Sequence, residues 1–119
     1  MEKVNIDEKF SLFSEHWSPK IIGALNGQLV KIAKVRGEFV WHRHQSEDEL
    51  FMVIDGELTI RFRDREVKLG PGEMLIVPAG VEHQPVAPEE VRLLLFEPDS
   101  TLNTGDVRDE RTVERPEII

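Results

Sequence analysis

No segment of this chain runs far before a turn stops it. Between residues 20 and 97 the breaks fall at Asn26-Gly27, Gly37, Asp55-Gly56 and Gly70-Pro71-Gly72, with Ser18-Pro19 just before them. Asn-Gly and Asp-Gly favour two-residue hairpin turns because both positions tolerate positive φ. The stretches between are rich in Val, Ile, Leu and Phe and read as strands: Ile21 to Leu25, Gln28 to Val35, Glu38 to His44, Glu49 to Ile54, Glu57 to Arg63, Glu66 to Leu69, Glu73 to Val77, His83 to Ala87 and Val91 to Glu97. Short strands punctuated this way give an antiparallel sandwich or small barrel. No intervening helix is long enough for parallel βαβ units. The expected class is therefore all-β.

The ends differ from the middle. Residues 1–18 form a polar lead in which Ile6, Phe10 and Phe13 recur at helical spacing, predicting a short helix over Asp7 to Phe13. Residues 19–97 would form the barrel. Residues 98–119 are polar and of mixed charge, a tail that wraps the barrel or stays partly disordered. At 119 residues the whole is one domain. A formal charge of -8, from 23 acidic against 15 basic residues, argues against a nucleic-acid partner. No apolar run approaches a membrane span and no signal-peptide pattern opens the chain, so the cytoplasm is the expected location. The absence of cysteine removes thiol nucleophiles and disulfides.

Three of the four histidines fall in two strand-like segments, His42-x-His44 and His83, with Glu49 opening the next strand. Strand side chains alternate, so His42 and His44 share a face with Val40, while Phe39, Trp41 and Arg43 take the other. Three imidazoles and a carboxylate are borderline-to-hard donors suited to one divalent ion of Fe, Mn, Ni, Zn or Cu. Glu47 and Asp48 are rival carboxylates in an acidic loop; Glu49 is preferred because it directly precedes an apolar strand. His16 beside Trp17 reads as structural or surface. Trp41 reads as core or interface packing and Arg43 as a surface or interface cation, and Phe51 and Val53 share the face of Glu49. Arg61 and Arg63 read as a solvated edge, or as cations at the barrel mouth that recruit an anion. Both faces of Glu49 to Ile54 are apolar, since Leu50, Met52 and Ile54 lie opposite Glu49, Phe51 and Val53. The second face needs a cover, either the N-terminal lead or a second copy of the chain, which predicts a homodimer.

Two motifs sharpen this reading. Residues 37–56, Gly-Glu-Phe-Val-Trp-His-Arg-His-Gln-Ser-Glu-Asp-Glu-Leu-Phe-Met-Val-Ile-Asp-Gly, resemble the first cupin motif. Residues 72–83, Gly-Glu-Met-Leu-Ile-Val-Pro-Ala-Gly-Val-Glu-His, resemble the second. The order and internal spacing are those of small single-domain cupins. The resemblance implies an antiparallel double-stranded β-helix, the jelly-roll barrel, with one metal ion inside held by His42, His44, Glu49 and His83. There are two departures: Gly37 precedes His42 by one residue fewer than in the family pattern, and Ala87 stands where the second motif has asparagine. Neither position is a family ligand.

The resemblance spans dioxygenases, isomerases, decarboxylases, storage proteins and sugar-binding modules. The expectation is a metalloenzyme, dioxygenase- or isomerase-like, acting on a small oxygen-rich molecule inside the barrel. The alternative is a non-catalytic barrel that binds or senses a sugar-like ligand, and a structural ion is disfavoured because closed sites are the rule for structural zinc. With every motif histidine engaged on the ion, no acid or base is assigned. Nucleophile-elbow, phosphate-loop and His-Glu-x-x-His patterns are absent, and so is tyrosine.

Overall fold

The computed structural model describes all residues, Met1–Ile119. One short helix, α1 (Ile6–Phe10), precedes eight strands: β1 (Lys20–Leu25), β2 (Gln28–Glu38), β3 (Glu49–Asp55), β4 (Leu58–Arg61), β5 (Glu66–Leu69), β6 (Met74–Val77), β7 (Gln84–Pro98) and β8 (Glu117–Ile118). The strands close into a β-barrel around a core that includes Val35, Phe51, Val53, Leu58, Ile60, Val91 and Leu93. No helix is long and apolar enough to cross a membrane.

The β1–β2 turn is the one the sequence predicts. Asn26 and Gly27 have φ of 49° and 79°, and Leu25 pairs with Gln28, a two-residue turn with both central residues left-handed. The Asp55-Gly56 expectation needs correction. Gly56 does turn, with φ of 94°, but β3 pairs with β6 and β7, whereas β4 pairs with β5 and β7. The turn bends the chain so that β4 follows β3 along the same edge of β7 instead of folding back on β3 as a hairpin. A Cβ on Gly56 would stand 3.0 Å from the Glu90 carbonyl oxygen and 3.1 Å from the Val91 side chain, so the close approach to β7 leaves no room for one.

β7 is the spine of the barrel. It pairs with β2 along its length, with β4 through Gln84, Pro85 and Val86, and with β3 through Arg92 to Phe96. The sequence reading split it into two strands at Pro88-Glu89-Glu90. In the structure those three exposed residues bulge opposite Arg36, between the pairs Val35↔Val91 and Gly37↔Ala87. A bulge accepts a proline that a regular ladder would not. Gly37, with φ of 86°, bends β2 at the same place.

The expected strand Glu38 to His44 also fails as a unit. Glu38 ends β2, and beyond it only His42 makes a bridge, an antiparallel one with His83. The alternation breaks after β2 ends, so Phe39 is buried beside His42 instead of opposite it.

Helix α1 starts where Asn5 accepts a hydrogen bond from the Glu8 N–H at 3.1 Å. It stops at Phe10, short of the expected Phe13, whose carbonyl is taken by the Lys34 ammonium at 2.7 Å. Phe10 and Phe13 still pack together, on Ile32, Ile54 and Leu94 of the outer sheet face. The N-terminal lead thus covers part of the apolar outer face. Met74 and Ile76, which pair with Met52 and Leu50, stay 49 % and 52 % exposed. The tail wraps the barrel: β8 pairs parallel with β1, and Ile119 joins the cluster under α1.

Candidate metal centre

The bridge between His42 and His83 builds the centre. Their backbones exchange hydrogen bonds of 3.0 and 2.9 Å, which sets the two imidazoles side by side with ring centroids 4.4 Å apart. His44 lies two residues on, and Glu49 is the first inward residue of β3, ahead of Phe51 and Val53. All four side chains are buried, and one donor atom from each lies within 4.8 Å of the others. Glu49 Oε1 stands 3.2 Å from His44 Nε2 and 3.4 Å from His83 Nε2.

The ring orientations are fixed from behind. His42 Nδ1 is 2.9 Å from the Val40 carbonyl and His83 Nδ1 is 2.9 Å from the Val81 carbonyl. A carbonyl only accepts, so each Nδ1 carries the proton and each Nε2 presents a lone pair inward. His44 Nε2, His83 Nε2 and Glu49 Oε1 are buried without a hydrogen-bond partner. Orphaned buried polar atoms are rare and call for an explanation. A divalent cation at their convergence supplies one, and three imidazole nitrogens with a carboxylate oxygen form a donor set such ions accept.

Burial, reinforced by the neighbouring His83, pushes His42 down to about 4 and keeps it neutral, the form that ligates. Burial alone would lower His44 as well, but contact with the Glu49 carboxylate outweighs it and raises the imidazole above 6.5. Burial would raise Glu49; His44 and His83 outweigh that and hold it well below the usual carboxylate range.

The rival carboxylates point elsewhere. Glu47 accepts from the Ser100 hydroxyl and Asp48 from the Ala79 N–H. His16 pairs with Glu90 at 2.8 Å on the surface, the structural role expected. Trp41 lies under the Arg63 guanidinium at 3.8 Å, and Arg63 also meets Glu82 at 2.6 Å. Arg61 reaches Glu38 and Gln84. Both arginines are therefore engaged with side chains of the chain itself.

Sequence reasoning missed a second buried pair beside the four. Lys31 Nζ donates to Glu97 Oε1 at 2.9 Å, and both side chains are almost wholly enclosed. Glu97 also contacts Glu49, and burial together with that negative charge pushes its carboxyl well above 4.5 against the pull of Lys31. Lys31 Nζ also reaches the Thr101 carbonyl at 3.5 Å. The signal was present: Lys31 has the parity of the inward Ala33 and Val35, and Glu97 that of Leu93 and Leu95. A cavity lies against His42, Glu49, Glu97 and Asn103 and is otherwise walled by apolar groups including Trp17, Phe39 and Phe51.

Comparison with known proteins places this geometry. The Cupin domain family matches residues 28–97. The uncharacterized protein YdbB of Bacillus subtilis (strain 168) is 38% identical over 80 residues, covering 66% of this chain and 65% of that protein. The match thus spans slightly less than two thirds of that relative's length. Among solved structures, a cupin-2 domain containing protein from Shewanella frigidimarina NCIMB 400 is 49% identical, with TM-score 0.79 over 80% of this chain and 93% of that one. Protein NMB1881 from Neisseria meningitidis is 28% identical, with TM-score 0.76 over 82% and 100% of the two chains.

Proposed function

The chain belongs to the cupin family, and on that premise we propose that it is a small metalloenzyme holding one divalent ion per chain through His42, His44, Glu49 and His83. Iron, manganese, nickel, zinc and copper all suit the donor set. The observation that carries the reading is the set of buried, unpartnered atoms, His44 Nε2, His83 Nε2 and Glu49 Oε1, aimed at one point. Four protein donors leave one or two positions free on an ion that takes five or six, and the adjoining cavity is where a small molecule would reach them.

The ion would supply Lewis-acid polarisation of a ligand oxygen, or redox chemistry with dioxygen, in keeping with an isomerase- or dioxygenase-like reaction. The chain's own residues do the rest. Val40 and Val81 lock the His42 and His83 rings, Glu49 offsets positive charge, and the largely apolar wall offers a bound molecule few polar partners away from the ion. A non-catalytic barrel binding a sugar-like molecule would use the same four ligands, and turnover separates the two readings.

We further place a homodimer contact on the uncovered outer face of β3 and β6, where Leu50, Met52, Met74 and Ile76 lie together. Light scattering should give about twice 13.7 kDa; a monomer at micromolar concentration contradicts it. A cytoplasmic location fits the cysteine-free composition.

Metal titration of chelator-stripped protein tests the central reading. One ion should bind per chain, and His83→Ala should weaken binding by at least about 100-fold, more than the loss typical of a supporting residue. Equal binding by wild type and variant would overturn it.

A further inference from the structure

The cavity beside the four side chains is polar at one end only. His42, Glu49 and Glu97 stand at that end, and Trp17, Val35, Phe39, Phe51, Leu93 and Leu95 wall the remainder. Asn103 also borders it, but its amide is spent on the tail: Nδ2 donates to the Arg111 carbonyl and Oδ1 accepts from the Val113 N–H. Apart from the four candidate ligands, the one unpartnered buried polar atom on the lining is Glu97 Oε2. The space reachable by the centre of a water molecule is about 40 Å³. That is room for roughly three waters, enough for a body of three or four carbons.

The apolar end is rigid. Trp17 sits at φ of 60°, a backbone conformation that bulky residues rarely adopt and that clusters at functional sites. Its N–H donates to the Lys34 carbonyl and its indole Nε1–H to the Arg36 carbonyl, both at 2.9 Å. Its ring stacks on Phe39 at 4.5 Å, and the Arg111 guanidinium covers Phe39 at 4.7 Å. Lead, barrel and tail together hold this aromatic pair against the cavity. A hydroxyl placed there would give up its water hydrogen bonds and find no partner.

We propose that the cavity takes a small molecule with a metal-chelating head and a short apolar body packed against Trp17 and Phe39, and that Trp17 is the specificity-determining residue. This rests on the metal reading above and narrows it: the polarity of the bound molecule is confined to the end that meets the ion.

Two hydroxamates test it, since they share a chelating head and differ only in the body. Butyrohydroxamate and its 3,4-dihydroxy derivative are titrated into cobalt-loaded Trp41→Phe protein, in which Trp17 is the sole tryptophan and reports by fluorescence. The alkyl hydroxamate should bind at least ten-fold tighter and perturb Trp17 emission. Trp17→Ala should abolish the preference, read from the cobalt absorption bands. Val35→Thr, nearly the same shape with one hydroxyl added to the wall, should narrow it without unfolding the barrel. Equal affinity, a preference for the dihydroxy compound, or ion-loaded protein that binds neither overturns the inference while the metal reading stands. Protein that takes up no cobalt overturns both.

Discussion

Replacing Lys31 with methionine removes the cation that holds Glu97 inside the barrel. The two charges are 2.9 Å apart and almost fully enclosed, so their gross attraction is roughly 6 kcal/mol at an effective dielectric of about 20. Breaking such a pair costs about 3–5 kcal/mol when the survivor stays charged. Glu97 has an escape, because it can bind a proton. A carboxyl with a raised folded-state pKa contributes most stability below its unfolded value of 4.5 and loses that contribution as pH climbs toward the folded value. Deleting Lys31 raises the folded value further and extends the window of loss upward. Wild type shares that loss up to its own folded value, so the two part only above it, and at 1.36 kcal/mol per pH unit from 4.5 to 7 their difference cannot exceed about 3 kcal/mol at pH 7. That corresponds to a drop in Tm of roughly 10 °C for a domain of this size. Thermal unfolding followed by circular dichroism, with chelator present, should show variant and wild type nearly together at pH 5 and further apart at pH 8. The double variant Lys31→Met with Glu97→Leu should return to within about 1 kcal/mol of wild type, since an apolar pair of similar volume replaces the ionic one. A constant difference from pH 5 to pH 8, or none at pH 8, would refute the reasoning, because packing loss alone has no such pH dependence.

Gly105 packs directly on the centre, with φ of 59°, and a Cβ there would overlap the Arg43 carbonyl oxygen and stand 2.9 Å from His42 Cδ2. Gly105→Ala should therefore destabilise by about 2 kcal/mol or more and weaken metal binding by displacing His42. Gly27→Ala, left-handed but facing open space, should leave metal affinity unchanged when both are measured by titration. Metal affinity should also fall as pH drops through the raised His44 value, starting above 6.5, because the ion needs the neutral ring. His42, neutral down to about 4, adds no proton competition in that range, and an affinity profile flat from pH 8 to pH 6 would contradict this.

The fold class and the four candidate ligands were legible because local signals carry them. Asn26-Gly27 specifies its turn whatever surrounds it, and the two motifs hold their spacings within continuous segments. What was not legible depends on long-range pairing. Asp55-Gly56 looks like a hairpin turn, yet β3 pairs with β6 and β7, both distant in sequence, and no local pattern encodes that choice. The run Glu38 to His44 alternates on paper, but the ladder ends at Glu38, and between Phe39 and His42 the alternation breaks so that both face inward. Lys31 and Glu97 carried the right parity, but a charged residue on an apolar face reads as a slip in register until its partner across the barrel is known. The N-terminal lead, one of two candidate covers for the outer face, takes Ile32, Ile54 and Leu94 and leaves Met74 and Ile76 bare.

The sharpest test is X-ray absorption at the metal edge of stoichiometrically loaded protein, paired with anomalous diffraction from its crystals. One ion should lie inside the barrel at about 2.0–2.2 Å from three imidazole nitrogens and a carboxylate oxygen, those of His42, His44, His83 and Glu49. An ion ligated by other residues, or a barrel that stays empty through loading while binding its small molecule unchanged, would contradict the account.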